Sequence, residues 1–460
     1  MVMEPVYSGI LVLAAFIPLL YFTMRGRVHV LISLFVMAFL LPVLAGVDLS
    51  TALTKIWAPG WLRFMNVFIW IFFGAWMSQV MIKQGIAQEI IRRAVELGGG
   101  RPHVTGLLMY LACAFVFTGL YGVGAAVLLG VIIIPILYQL GYSPKLAAGL
   151  YTFGVSAGFR LNIAEFAYFS GIFQISYENA WNLLFYTFVL GLVAGVIFVT
   201  IETKRAGLWL KKPTATDGGS LIARKVSVKY DGIIPRIECF LASNASSHRG
   251  SSAPKKNMPV IALISPIIPL FLVVAFKWDA TPAFIVGILF ALLTTRGSLK
   301  EKADTWLRSA FDCMPDITWV FILIIELGVI VTAFTYPDVV APMRAVLELI
   351  IPQNTMLFFA GVAATAPLDT FRGPWNSLGL GAAVWAPLVA SKFLPAKTLL
   401  QGQIATHQTS YFADPTISWN AWILGYTKVV PKDYFMQQLP YAWALAAIVA
   451  LTAWLIPLPI

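Results

Sequence analysis

Charge is scarce in this chain. Only 12% of its 460 residues are Asp, Glu, Lys or Arg, against about 25% in a soluble globular protein. So few ionised groups cannot cover a water-facing surface, which excludes an ordinary soluble domain. Cysteine is scarce too. Cys113, Cys239 and Cys313 fit neither a metal knot nor a redox pair. There are four histidines. The chain has no H-E-x-x-H, no G-x-S-x-G and no phosphate loop. It is therefore expected to be no enzyme, with no resident metal and no cofactor beyond a coupling Na+ or H+.

Apolar residues are plentiful, at 59% of the chain. Runs such as Gly9–Phe22, Val28–Gly46 and Tyr441–Leu458 approach the roughly 20 apolar residues of a membrane-crossing helix. The reading is an all-α polytopic membrane protein. The first run carries no basic cluster and no small-residue cleavage site, so it is expected to be retained as a span. Spans are placed at about 6–24, 28–46, 64–82, 146–168 and 181–202, then 259–276, 280–296, 316–335, 396–413 and 440–458. Segments 104–141 and 353–391 are each broken in the middle and read as re-entrant hairpins.

Positive charge is concentrated. Between Thr203 and Met258 lie eleven Lys or Arg and three acids, so +8 of the net +11 falls there. Basic loops remain cytoplasmic, which explains this segment without nucleic acid. Its "TATDGGS" and "ASNASSHRGSSAPKK" read as a linker. The chain divides into a first repeat at 1–203, a basic cytoplasmic linker at 204–257 and a second repeat at 258–460.

The repeat is visible in the residues. "RRAVELGGG" (Arg92–Gly100) aligns with "MRAVLELIIP" (Met343–Pro352), and "GVGAAV" (Gly122–Val127) with "GLGAAV" (Gly379–Val384). "SPK" (Ser143–Lys145) aligns with "LPAK" (Leu394–Lys397). "FGVSAGFRLN" (Phe153–Asn162) then falls opposite "THQTSYFADPT" (Thr406–Thr416). With Arg25 and Arg27 inside, five spans per half deliver the linker to the cytoplasm. The second half must then be inverted.

The hairpin tips, Thr118–Gly124 and Asp369–Gly381, and the two interrupted spans expose backbone at membrane depth. Such backbone is tolerated only where protein or a watery cavity meets it. In carriers, interrupted helices in corresponding halves form the binding site. Candidate substrate-binding residues are Arg372, Arg160, Asn376, Ser377, Thr118, Tyr121, Asn162 and Thr409. Candidate coupling-ion residues are Asp414, Asp369 and His407, since acids at this depth are rarely idle and His titrates near neutral pH. Gly122, Gly124, Gly379 and Gly381 permit close backbone approach. Arg372 either binds an anion or pairs with Asp369. Arg160 has the same choice with Glu165, but i,i+5 is a poor helical pairing, so Arg160 has the better claim to a ligand.

The layout resembles the ion transporter superfamily of citrate, gluconate, C4-dicarboxylate, arsenite and sodium–proton carriers. The likeness rests on an amphipathic helix before each hairpin, at Gly85–Leu97 and Val339–Ile351, and on "PILYQLGYSP" (Pro135–Pro144). It implies a homodimer in the inner membrane. A fixed scaffold would hold a sliding unit of hairpins and broken spans, moving in an elevator motion. Sodium-coupled dicarboxylate members carry Ser-Asn-Thr at each tip. Here the tips read "TGLYGVG" and "RGPWNSLG", which favours protons. The expected function is secondary transport of a small organic anion. The alternatives are the large subunit of a tripartite binding-protein-dependent carrier and a cation/proton antiporter.

Overall fold

A computed structural model describes residues 5–209, 258–379 and 381–455. Most of the basic linker, with Cys239, lies outside the described residues. The described residues form an all-α multi-pass membrane protein.

Among the described residues, twenty helices fall into two sets of ten. The first set is α1 (Pro5–Met24), α2 (Val30–Leu44), α3 (49–62, with a π-helical turn at Ala52–Trp57), α4 (Met65–Lys83) and α5 (Ile86–Gly98). It continues with α6 (Pro102–Phe117), α7 (Val123–Gln139), α8 (Pro144–Phe159), α9 (Ile163–Phe173) and α10 (Tyr177–Arg205). The second set is α11 (Val260–Phe276), α12 (Ala280–Thr294), α13 (Leu299–Asp312), α14 (Met314–Ala333) and α15 (Pro337–Ile350). It closes with α16 (Thr355–Arg372, ending in a 3-10 turn), α17 (Ala382–Ala390), α18 (Ala396–Ala413), α19 (Ser418–Thr427) and α20 (Pro431–Leu455).

Local chemistry sets many boundaries. Ser143 caps α8 by accepting from Leu146 N at 3.3 Å, with Pro144 at the first helical position, where its missing N–H costs nothing. Ser298 and Glu301 form a capping box at α13. Gly85 and Gly99 take left-handed φ values of 79° and 60° and bound the amphipathic α5. Ile86, Ile91 and Ala94 of α5 are buried, while Arg92 and Arg93 both clasp Glu89.

Packing exchanges the two sets. Helix α4 packs on α12 and α14 on α2; α4 on α13 and α14 on α3; α9 on α17 and α19 on α7; α8 on α19 and α18 on α9. Each contact has a counterpart in which both helices are replaced by their equivalents in the other set. The two sets thus contact each other reciprocally.

Some expectations are refined. The span at 146–168 is two helices, α8 and α9, parted at residues 160–162, and neither half alone reaches a bilayer's thickness at 1.5 Å per residue. The span at 396–413 is likewise only the first half of a broken pair that continues as α19. Helices α3 and α13 are additions that apolar runs could not reveal. Helix α13 is polar, and the residues of α3 are interrupted by Lys55 and Pro59. Both amphipathic helices are present, and α15 turns into the second hairpin through 83°.

Candidate functional site

The two broken pairs meet. At the end of α8, Ser156 Oγ donates to Tyr411 O at 2.6 Å, and Arg160 Nη2 donates to His407 O at 3.2 Å. The Arg160 guanidinium lies 4.0 Å from the centre of the Tyr411 ring, a cation–π contact in a water-poor setting. Tyr411 donates its hydroxyl proton to Glu165 Oε1. Arg160 and Glu165 therefore share Tyr411 as a common partner; no direct ion pair joins them among the described residues.

The second hairpin supplies the opposite wall. Asp369 is wholly buried, with Oδ1 3.1 Å from His407 Nδ1 and accepting from Asn376 Nδ2 at 3.0 Å. Ser410 Oγ stands 2.9 Å from the same His407 nitrogen. The expected alternative for Arg372, a bond to Asp369, is not found among the described residues. Arg372 and Phe371 have φ of 59° and 56°, which turns the arginine away to reach Leu378 O at 3.4 Å. At the crossing, Arg160 Nε, Asp369 Oδ2, His407 Nε2 and Ser377 Oγ are among the buried polar atoms that have no partner in the described residues. Buried polar atoms are nearly always satisfied, so unmet donors and acceptors gathered around one crossing suit a ligand or an exchanging proton.

Other expected residues are engaged with the protein. Asp414 Oδ2 accepts from Phe371 N at 2.8 Å, and Oδ1 accepts from Thr416 N and Oγ1, each at 2.7 Å. It clamps the second tip to the break in its own broken pair. Asn162 clamps the first, donating to Phe117 O and Leu120 O. Thr118 bonds its own helix at Phe115 O, and Thr409 bonds Ala366 O at 2.7 Å. Tyr121 Oη lies 3.3 Å from Tyr168 Oη. Gly379 is crowded by Arg372, and a side chain at Gly381 would meet Asn376 O at 2.6 Å. A side chain at Gly124 would strike the Asp316 carboxylate, and Gly122 has a φ of 100°.

Two cavities flank the crossing. One, a small cleft, is lined by Phe159, Arg160, Glu165, Phe169, Ile404 and Tyr411, among others. The other, also small, is lined by Tyr121, Glu165, Tyr168, Asp316, Trp319 and Trp419, among others. Glu165 lines both. Sequence reasoning left Glu165, Tyr411 and Asp316 out of the site. Glu165 follows Asn162 by three residues, which reads as a helix start, and an aromatic in an apolar run gives no signal. Asp316 opens α14 and reaches the first tip from the other set, where Gln79 Nε2 donates to it at 2.9 Å.

No protein-family model matches the sequence, and no curated protein matches it either. Among solved structures, the chain is similar to one described as "Crystal structure of the Alcanivorax borkumensis YdaH transporter reveals an unusual topology". The identity is 15%, the TM-score 0.53, and the match covers 89% of each chain. The shared property is the fold of a membrane transporter.

Proposed function

We propose that the chain is a secondary active transporter that carries a small organic anion, a carboxylate, together with protons. The charge balance at the crossing is the observation that supports this reading. Two guanidiniums, Arg160 and Arg372, stand with three carboxyl groups, Glu165, Asp369 and Asp414. With all three ionised, the site repels an anion. An arriving proton removes one negative charge and lets Arg160 hold the carboxylate. His407 and Asp369, 3.1 Å apart and each with a free polar atom, are the pair to take it. Arg160 disfavours a cation/proton antiporter, because a fixed guanidinium raises the cost of a bare cation nearby.

The hairpins and broken pairs are read as the moving unit of an elevator, and α1–α4 with α11–α14 as its scaffold. The protein is placed in the inner membrane as a homodimer, with its basic linker in the cytoplasm. The experiment is uptake of labelled mono-, di- and tricarboxylates into proteoliposomes under a proton gradient or a sodium gradient. Accumulation of at least one carboxylate under the proton gradient, in sodium-free buffer, is expected. Accumulation only with sodium, or of no carboxylate, contradicts the reading.

A further inference from the structure

Helix α6 ends at Phe117 inside the protein; the N–H groups of Thr118, Gly119 and Leu120 close on Phe115 O and Val116 O, which leaves Phe117 O and Leu120 O to other partners. In carriers with interrupted helices, such carbonyls coordinate a coupling cation. Here a side chain is already there. Asn162 Nδ2 donates to Phe117 O at 3.1 Å and to Leu120 O at 2.9 Å. Asn162 Oδ1 accepts from Ala164 N at 3.0 Å and Glu165 N at 3.2 Å. Two donors and two acceptors exhaust an amide. The orientation is also forced: a flipped amide would set oxygen against two carbonyls and NH2 against two N–H groups. The side chain is 2% exposed, so water does not substitute for it.

We propose that Asn162 is a tethered substitute for a coupling cation at the first hairpin tip, and that it makes this tip independent of sodium. The amide's positive edge sits where converging carbonyl oxygens would otherwise hold an ion. Its negative edge starts α9, so one residue closes the hairpin and caps the broken helix together. The second interruption repeats the donor half alone, since Asn420 Oδ1 has no partner among the described residues. Asn420 Nδ2 donates to Asp414 O at 2.9 Å and to Tyr411 O at 3.3 Å, which covers carbonyls at the end of α18. The inference rests on the carrier reading for its meaning in transport, but its test does not.

Asn162→Asp keeps the cap on α9 and replaces the donor with an oxygen. Three oxygens then face one another, and a cation resolves the repulsion. The measurement is thermal unfolding of purified full-length protein in sodium chloride and in choline chloride. Wild type is expected to unfold at the same temperature in both. N162D is expected to unfold several degrees lower in choline and to recover in sodium, because a ligand bound only by the folded state stabilises it. Asn162→Ser still caps but leaves the carbonyls uncovered, and should show a smaller sodium response; it decides the matter if N162D does not fold. A wild-type protein that sodium stabilises, or folded N162D and N162S proteins indifferent to sodium, would overturn the proposal. Neither readout involves a carried anion, so a failure of the transport reading remains distinguishable.

Discussion

At the scale of single residues, the i,i+5 spacing of Arg160 and Glu165 already gives Arg160 the better claim to a ligand, and the structure separates it further from Arg372. Arg160 is buried with a free Nε, whereas Arg372 is half-buried and reaches only a backbone oxygen. A charge-assisted hydrogen bond contributes about 1.5–3 kcal/mol. Arg160→Gln should therefore raise the KM for the carried carboxylate about 10- to 150-fold, with expression unchanged. Arg372→Gln should raise it far less, and uptake kinetics of the two variants check the order. The three bonds that Asp414 accepts hold the second tip, so Asp414→Asn places an amide nitrogen against an N–H and should cost about 1–3 kcal/mol of stability. Protons should still drive uptake in it. Asp369→Asn should instead abolish accumulation under a proton gradient and spare exchange of preloaded substrate.

At the scale of elements, the first hairpin is seated by close approach. A side chain at Gly158 would overlap Ala114 O and stand 2.6 Å from Phe117 Cβ. Backbone cannot retreat as a side-chain tip can. Gly158→Ala should thus cost the upper part of the 1–3 kcal/mol typical of overpacking and should uncover the first tip to proteolysis. On α5, the Glu89 carboxyl is held below its ordinary range, first by hydrogen bonds from Arg92 and then by Arg93, against desolvation. A lowered folded value means that the stabilisation is whole above about pH 4.3 and fades as the pH drops through the lower value. Glu89→Gln should lower the melting temperature at neutral pH and by less in acid. Both hairpins, both amphipathic helices and both breaks were legible because apolar runs, helix-period charge and Gly/Pro interruptions mark them locally. Helices α3 and α13 were not, since one mixes polar residues into a π turn and the other resembles a soluble helix. The Arg160–Tyr411–Glu165 array joins residues up to 251 positions apart in chain, and no local pattern announces such a meeting. The pairing of Asp369 with His407, 38 residues on, was hidden for the same reason.

At the scale of the whole molecule, paired contacts such as α4 with α12 and α14 with α2 give the repeat a structural form. If the sets are inverted, α15 and the linker face opposite sides. Single cysteines in 336–352 and in 204–257, with the native three removed, should react with an impermeant thiol reagent from opposite faces of sealed vesicles. Reaction from one face would remove the inversion and, with it, the alternating access that an inverted repeat suggests. The central claim is that one anion site serves both faces in turn, which a pore does not do. Its most direct test is trans-stimulation in proteoliposomes. Vesicles preloaded with the accepted unlabelled carboxylate should take up the labelled form several-fold faster than empty vesicles, because a returning loaded carrier is the faster route. Uptake at the same rate with or without preloading would contradict the account.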